Sequence, residues 1–299
     1  MSQSAGTAAA QRAGWLYSAP ALLMIGAFFL LPGLAALALS FTDFDLYALA
    51  DLRNLRFVGL DNYQTLLRTP LFWKALGNTT EFVVLGVPLS LLASLGAALL
   101  VDSKLAACKG LLRTALFAPV VTTVVAVALI WRYLLHTRYG LINELLTLLH
   151  LPAVDWLGSP HWSMPAIVLL AIWKNFGYNM VILIAALQAI PDELYEAARL
   201  EGAGVWARIW HITLPLLAPT LTLVGILTIS GYFQLFAEPY VMTQGGPLQS
   251  TVSVLYYMFE QGFTWWKLGY AASVAVVLFA LIYSLSTLQL RLTRHLGGT

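Results

Sequence analysis

Apolar residues fill six long stretches of this chain, near residues 14–40, 76–101, 111–134, 164–189, 214–237 and 268–290, and polar residues collect between them. A helix needs about 20 mostly apolar residues to cross roughly 30 Å of hydrocarbon at about 1.5 Å per residue, and each stretch has that length. Backbone polar groups in lipid must be satisfied within the segment, so the pattern predicts an all-α polytopic membrane helix bundle with six transmembrane helices. The first stretch has features of a signal peptide, with Arg12 ahead of it and a cleavage-like Ala36-Leu37-Ala38. Its apolar run is longer than the roughly 7–15 residues of such a segment, so it reads as a membrane helix.

Residues 1–13 read as an N-terminal tail, frayed over its first ten small and polar residues. Residues 14–75 combine the first helix with an external loop carrying Asp43, Asp45, Asp51, Arg53, Asn54, Gly59 and Asp61; that separation predicts a peripheral first helix. Residues 76–290 form a core of five spans, and 291–299 a C-terminal tail. An even number of spans puts both termini on one side. With the termini inside, Arg12, Lys104, Lys109, Arg113, Arg199, Arg208, Arg291 and Arg294 make the inner segments about twofold denser in positive charge than the outer ones, which predicts cytoplasmic termini. Trp156, Trp162, Trp265 and Trp266 sit near span ends, as in an interfacial aromatic belt.

The most ordered polar segment runs from Ile190 to Pro219. Pro191 closes the fourth span, and Asp192 and Glu193 suit the positive end of a new helix dipole. Asp192, Glu196 and Arg199 form a charged stripe with a possible Glu196–Arg199 pair, opposite a smaller face of Leu194, Ala197 and Ala198. Gly202 and Gly204 are expected to supply the positive φ of a turn. Val205, Trp206, Ile209 and Trp210 then form an interfacial stripe before Leu214-Pro215 enters the fifth span. The segment is a helix, a turn and a helix, serving either as a connector on the lipid head groups or as a docking surface for another protein.

Composition narrows the function. Of 299 residues, 60% are hydrophobic and 10% charged, against about 25% charged in soluble domains. The mean hydropathy is +0.78. A net charge of +2 gives no footing for nucleic acid. Cys108 is the single cysteine, so no intrachain disulfide is possible, and its neighbours lack metal-ligand spacing. None of the five lysines, Lys74, Lys104, Lys109, Lys174 and Lys267, precedes Ser or Thr, which excludes a phosphate-binding loop. The histidines are scattered and no His-Glu-x-x-His or Gly-x-Ser-x-Gly motif occurs, so a membrane enzyme is poorly supported.

Lys174 lies near the middle of the fourth span, where a charge is costly and points to function. Asn175, Tyr178 and Asn179 beside it, and Thr228, Tyr232 and Gln234 in the fifth span, offer donors and acceptors matching sugar hydroxyls; Thr122 and Thr123 do so in the third. Phe176, Tyr178 and Tyr232 supply aromatic faces. Helix–helix hydrogen bonding is the competing role for each. Lys174 has Glu81, Glu238 or an anionic substrate as candidate partners. An ion-coupled secondary transporter using Lys174 and Glu238 is the alternative class; it predicts inverted repeats, and none is evident.

Glu196-Ala197-Ala198, then Gly202, Ile212, Leu214, Pro215 and Pro219, resembles the EAA signature of binding-protein-dependent ABC importer permeases. Glu201-Gly202-Ala203 stands where that family usually has Asp-Gly-Ala, keeping the charge on a side chain one methylene longer. Trp173-Lys174-Asn175, Leu187-Gln188-Ala189-Ile190-Pro191 and Met242-Thr243-Gln244-Gly245-Gly246-Pro247 resemble its carbohydrate branch, of maltose, trehalose and glycerol-phosphate type. The likeness covers roughly residues 75–290. It implies a sugar or oligosaccharide importer working by alternating access in the bacterial plasma (inner) membrane, multi-pass, with both termini cytoplasmic. Glu193, Glu196, Ala197, Ala198, Glu201, Gly202, Ala203, Gly204 and Pro215 would form an ATPase-coupling element. The implied partners are a second homologous permease, two cytoplasmic ATPase subunits, an extracytoplasmic sugar-binding protein, the sugar and membrane lipid. ATP and Mg would belong to the partner ATPase, with no cofactor or metal in this chain. The family lines its cavity from the spans matching the third to fifth here, which favours Asn175, Asn179 and Tyr232; it puts the 242–251 loop where the binding protein delivers sugar.

Overall fold

The computed structural model describes residues 2–103 and 107–296. Among them no strand occurs, only an isolated bridge between Thr42 and Phe57. Lys104, one of the expected inner charges, lies outside the described residues. The chain forms two compact units, residues up to Arg68 with Met258–Val277, and Thr69–Tyr257 with residues from Leu278 onward.

In the first unit, helix α1 (Ser2–Ile25) continues through a π-helical turn, Gly26–Leu30, into α2 (Leu31–Leu39). The residues expected as a tail are therefore helical from Ser2; Met1 lies outside the described residues. Alanines at 8–10 favour that extension. The π turn comes just before Pro32, whose ring collides with the carbonyl one turn back in a regular helix; widening that turn relieves the clash. No part of the apolar stretch Gly14–Leu39 is buried, as a lipid-solvated helix allows. The loop beyond is ordered by polar groups. Asp45 accepts bonds from the Tyr47 and Ala48 amides at 2.9 and 3.0 Å and so starts α3 (Leu46–Ala50). Asn62, in α4 (Asp61–Arg68), donates to the Ser40 and Thr42 carbonyls at 2.9 and 2.8 Å.

The second unit starts with α5 (Pro70–Asp102), then α6 (Lys109–Val121), α7 (Val124–Leu134) and α8 (Leu141–Leu148). Next come α9 (Ser163–Gln188), α10 (Asp192–Leu200), α11 (Val205–Arg208), a π turn at Ile209–Thr213, α12 (Leu214–Phe233) and α13 (Ala237–Met242). Short α14 (Val254–Phe259) and long α15 (Leu268–Leu296) complete the chain, so helix replaces most of the expected C-terminal tail. Five helical stretches have the length and apolarity to cross a membrane: Gly14–Leu39, Pro70–Asp102, Ser163–Gln188, Val205–Met242 and Leu268–Arg291. They agree with five of the six expected spans.

The third expected span, 111–134, is not one straight helix. It is α6 and α7, bent by 98° at Thr122 and Thr123, both of which are extended. Pro119 withholds one amide from the helix, and Val120 to Val125 is an unbroken β-branched run that loses side-chain freedom in a helix. The fifth helix also begins earlier than expected, because the chain runs helically from Val205 through the π turn into Leu214-Pro215.

Packing in this unit centres on α9, which lies against α5, α6 and α12. Ala98 and Val101 of α5, Met180, Leu183, Ile184 and Leu187 of α9 and Leu217 of α12 form one buried cluster. Gly177 of α9 sits under the Leu116 carbonyl of α6, with the Phe117 Cα 3.1 Å from where a Cβ would stand. Small residues at such crossings let membrane helices approach closely.

Candidate functional site

The α10 segment has the helix and turn that its residues predict. Pro191 is the N-cap, Asp192 and Glu193 lie in the first turn, and Arg199 lies in the last, each charge matching the dipole end it occupies. The helix stops in a Schellman turn: the Ala203 amide donates to the Ala198 carbonyl at 2.8 Å and the Gly202 amide to Arg199 at 3.0 Å. Gly202 takes φ +81° as expected. Gly204 does not; at φ −68° and ψ 172° it is extended, because a Schellman turn needs a single left-handed residue. No ion pair joins Glu196 to Arg199 among the described residues: both side chains are exposed to water, where such a pair gains little.

No residue of α10 is buried. Its tether to the body includes the Tyr195 hydroxyl, 3.0 Å from Thr213 Oγ1. Glu193, Glu196, Ala197 and Glu201 are exposed, and Leu200 is 91% exposed. Beyond the turn Val205, Trp206 and Trp210 are exposed, while Ile209 is half-buried.

A cavity of about 290 Å³ opens between α5, α9, α12 and α13. Asn175, Tyr178 and Asn179 line it from α9, and Thr228, Tyr232 and Gln234 from α12 and its end. Phe82, Val120, Leu227 and Leu235 add apolar walls. Asn179 donates to Thr228 Oγ1 at 3.0 Å, so this buried pair also joins α9 to α12, the competing role noted above. The Tyr232 ring packs on Phe82, centroids 4.8 Å apart, and fills the space left by Gly86, where a Cβ would stand 2.7 Å from it. Its hydroxyl is buried without a well-formed hydrogen bond, with Ser90 and Asn175 as polar neighbours.

Two expected residues are not in this wall, Lys174 and Phe176. Each is one position from Asn175, about 100° around the helix, so both point aside from the stripe that 171, 175, 178 and 179 make. Lys174 instead donates to the Val120 carbonyl at 3.4 Å, at the broken end of α6. That carbonyl has lost its helical partner at membrane depth, and a cation is the favoured group at a helix C-terminus. No ion pair joins Lys174 to Glu81 or Glu238 among the described residues. Lys174→Met is therefore expected to destabilise the α6–α7 break by about 1–3 kcal/mol, with Lys174→Arg close to the parent. Thermal unfolding of the purified protein checks this, and an unchanged midpoint for the Met variant would refute it.

Glu238, weighed from sequence as a partner for Lys174 and as an ion-coupling residue but not as a sugar contact, lines the cavity from the first turn of α13. A carboxylate so close to the end of an apolar span was the available signal. The loop that follows is latched to α5 and α9: Lys74 Nζ donates to the Leu248 carbonyl at 2.6 Å, and Asn78 Nδ2 to those of Gln249 and Val252 at 2.8 and 2.9 Å. Ser163 and Ser250 are joined through their hydroxyls at 2.8 Å. Positive φ at Gln244, Gly245, Leu248 and Gln249 accounts for the tight path, which the glycines alone do not explain.

Known proteins are similar along nearly the whole chain. The sulfoquinovosyl glycerol transport system permease protein SmoG of Agrobacterium fabrum is 33% identical over 279 residues, 93% of this chain and 89% of that protein. The lactose transport system permease protein LacF of Rhizobium radiobacter is 34% identical over 287 residues, 94% of each. Among solved structures, a chain of a bacterial ABC transporter involved in the import of the acidic polysaccharide alginate superposes with a TM-score of 0.77 at 22% identity, covering 95% of this chain and 96% of that one. The description "binding-protein-dependent transport system inner membrane component" matches residues 4–297. Together with the exposed α10 and the polar intramembrane cavity, this match establishes that the chain belongs to that family, a multi-pass inner-membrane transport subunit and not an enzyme.

Proposed function

We propose that this chain conducts a sugar or oligosaccharide across the inner membrane as one permease subunit of an ATP-driven importer. The observation that carries the reading is the cavity in which Asn175, Tyr178, Asn179, Thr228, Tyr232 and Gln234 converge. Amides and hydroxyls for sugar hydroxyls stand beside aromatic and aliphatic surface for the ring faces. The volume is near the lower end for small-molecule sites, about 300–1,000 Å³. A relative named for lactose transport supports the substrate class.

The partners in this reading are a second permease, two cytoplasmic ATPase subunits holding ATP and Mg, and an extracytoplasmic sugar-binding protein. An ABC importer structure with the same fold and the family's dependence on a binding protein support them. Helix α10 and its turn, Glu193 to Gly204, would seat in the ATPase on the cytoplasmic side, with both termini on that side. The latched 244–251 loop would face the binding protein. ATP-driven closure of the ATPase pair moves α10 as a rigid lever, and the α5–α9–α12 bundle alternates its cavity between the two sides.

Reconstitution tests this. In proteoliposomes containing the chain, its homologous permease, the ATPase and the binding protein, labelled lactose and maltose serve as first probes. Asn175→Leu is expected to lower sugar uptake roughly tenfold with little change in basal ATP hydrolysis. Uptake unchanged by that substitution would remove the cavity from the sugar path.

A further inference from the structure

The charge in the cavity wall bears on which sugars it accepts. Among the described residues Glu238 is the only ionisable carboxyl lining the cavity, and no lysine, arginine or histidine lines it. Lys174 does not line the cavity; it donates to the Val120 carbonyl and lies within electrostatic reach of Glu238 without forming an ion pair with it. Arg132 belongs to a separate hollow with His136, Leu157 and Thr243. Every other polar group in the wall is an uncharged amide or hydroxyl. When ionised, a carboxyl at one end of a low-dielectric cleft repels a ligand carboxylate or sulfonate over many ångströms, since such walls focus the field. For a neutral ligand the ionised group is an acceptor for hydroxyls, stronger than an amide.

We propose that Glu238 is the specificity-determining residue of this cavity, admitting uncharged polyhydroxylated sugars and disfavouring acidic ones. This deepens the sugar-permease reading and rests on it. It also separates this chain from the fold-mate that imports an acidic polysaccharide, whose similarity is one of backbone at low identity. Gln234, at the end of α12, spends one amide hydrogen on the Ser230 carbonyl at 2.9 Å and supplies no charge.

Gly231 offers a reporter position. It lines the cavity, and a Cβ added there meets no atom within 4 Å. The native thiol, exposed Cys108, is removed first by Cys108→Ser. In vesicles carrying the assembled importer, the Gly231→Cys thiol is then modified by size-matched methanethiosulfonates, one bearing a trimethylammonium and one a sulfonate. Rates are normalised to those of a free thiol. The cationic reagent is expected to react roughly tenfold faster, and Glu238→Gln to bring the ratio close to one. A ratio that Glu238→Gln leaves unchanged, or faster reaction with the anion, overturns the charge filter while leaving the cavity as a sugar path. Failure of both reagents to reach the thiol, with and without ATP, overturns the cavity reading itself and the filter with it.

Discussion

Glu196→Lys is expected to separate sugar uptake from ATP hydrolysis, with uptake falling at least roughly a hundredfold while the protein inserts and folds as before. The physical case rests on what this side chain does not do. It is exposed on a helix with no buried residue and is not paired with Arg199. The chain itself thus gives a charge reversal little to disrupt. If α10 seats in an ATPase cleft, the same change puts a like or unmatched charge into a closed interface, where it is costly. Uptake in proteoliposomes and thermal unfolding of the solubilised assembly are measured together. Parental uptake would dismiss α10 as the coupling element; a collapsed unfolding midpoint would show that Glu196 supports the fold instead.

The second large effect concerns packing. Gly177→Val is expected to lower the stability of the second unit by about 1–3 kcal/mol and to abolish transport. The new Cβ would meet the Leu116 carbonyl and stand 3.1 Å from the Phe117 Cα, backbone atoms that cannot swing aside. Helices α6 and α9 would have to separate, moving Asn175 and Asn179 on either side of the substitution. Gly96→Ala is the control, because its Cβ meets nothing within 4 Å; it should be neutral or gain up to about 1 kcal/mol from helix propensity. Comparable melting of the two variants would contradict this account of the α6–α9 crossing.

Five of six spans were legible because crossing hydrocarbon imposes a length and an apolarity that survive any packing arrangement. The broken third span was not. Pro119 alone does not decide between a straight and a bent helix in lipid, where neighbouring groups can satisfy freed carbonyls. Here Lys174 supplies such a group from another helix. In the α10 turn, Gly202 was legible and Gly204 was not, since two glycines in sequence leave open which of them takes the left-handed position. Asn175, Tyr178 and Asn179 share the cavity wall because their 3–4 residue spacing puts them on one helical face, whereas Lys174 and Phe176, adjacent in sequence, lie outside that wall. Glu238 was not expected in the cavity wall because it follows a helix break whose direction no local pattern specifies.

The sequence by itself determined that the chain is an all-α membrane protein, where most spans lie, that it holds no phosphate loop of its own, and which segment carries the charged α10 stripe. These follow from composition and local periodicity, which depend on solvent and helix geometry alone. Only the tertiary structure decided which polar residues share a cavity and which satisfy a neighbouring backbone. That depends on how far α9 and α12 are rotated and how closely α6 approaches, set by contacts such as Gly177 on Leu116 and Tyr232 on Gly86 between residues far apart in the chain.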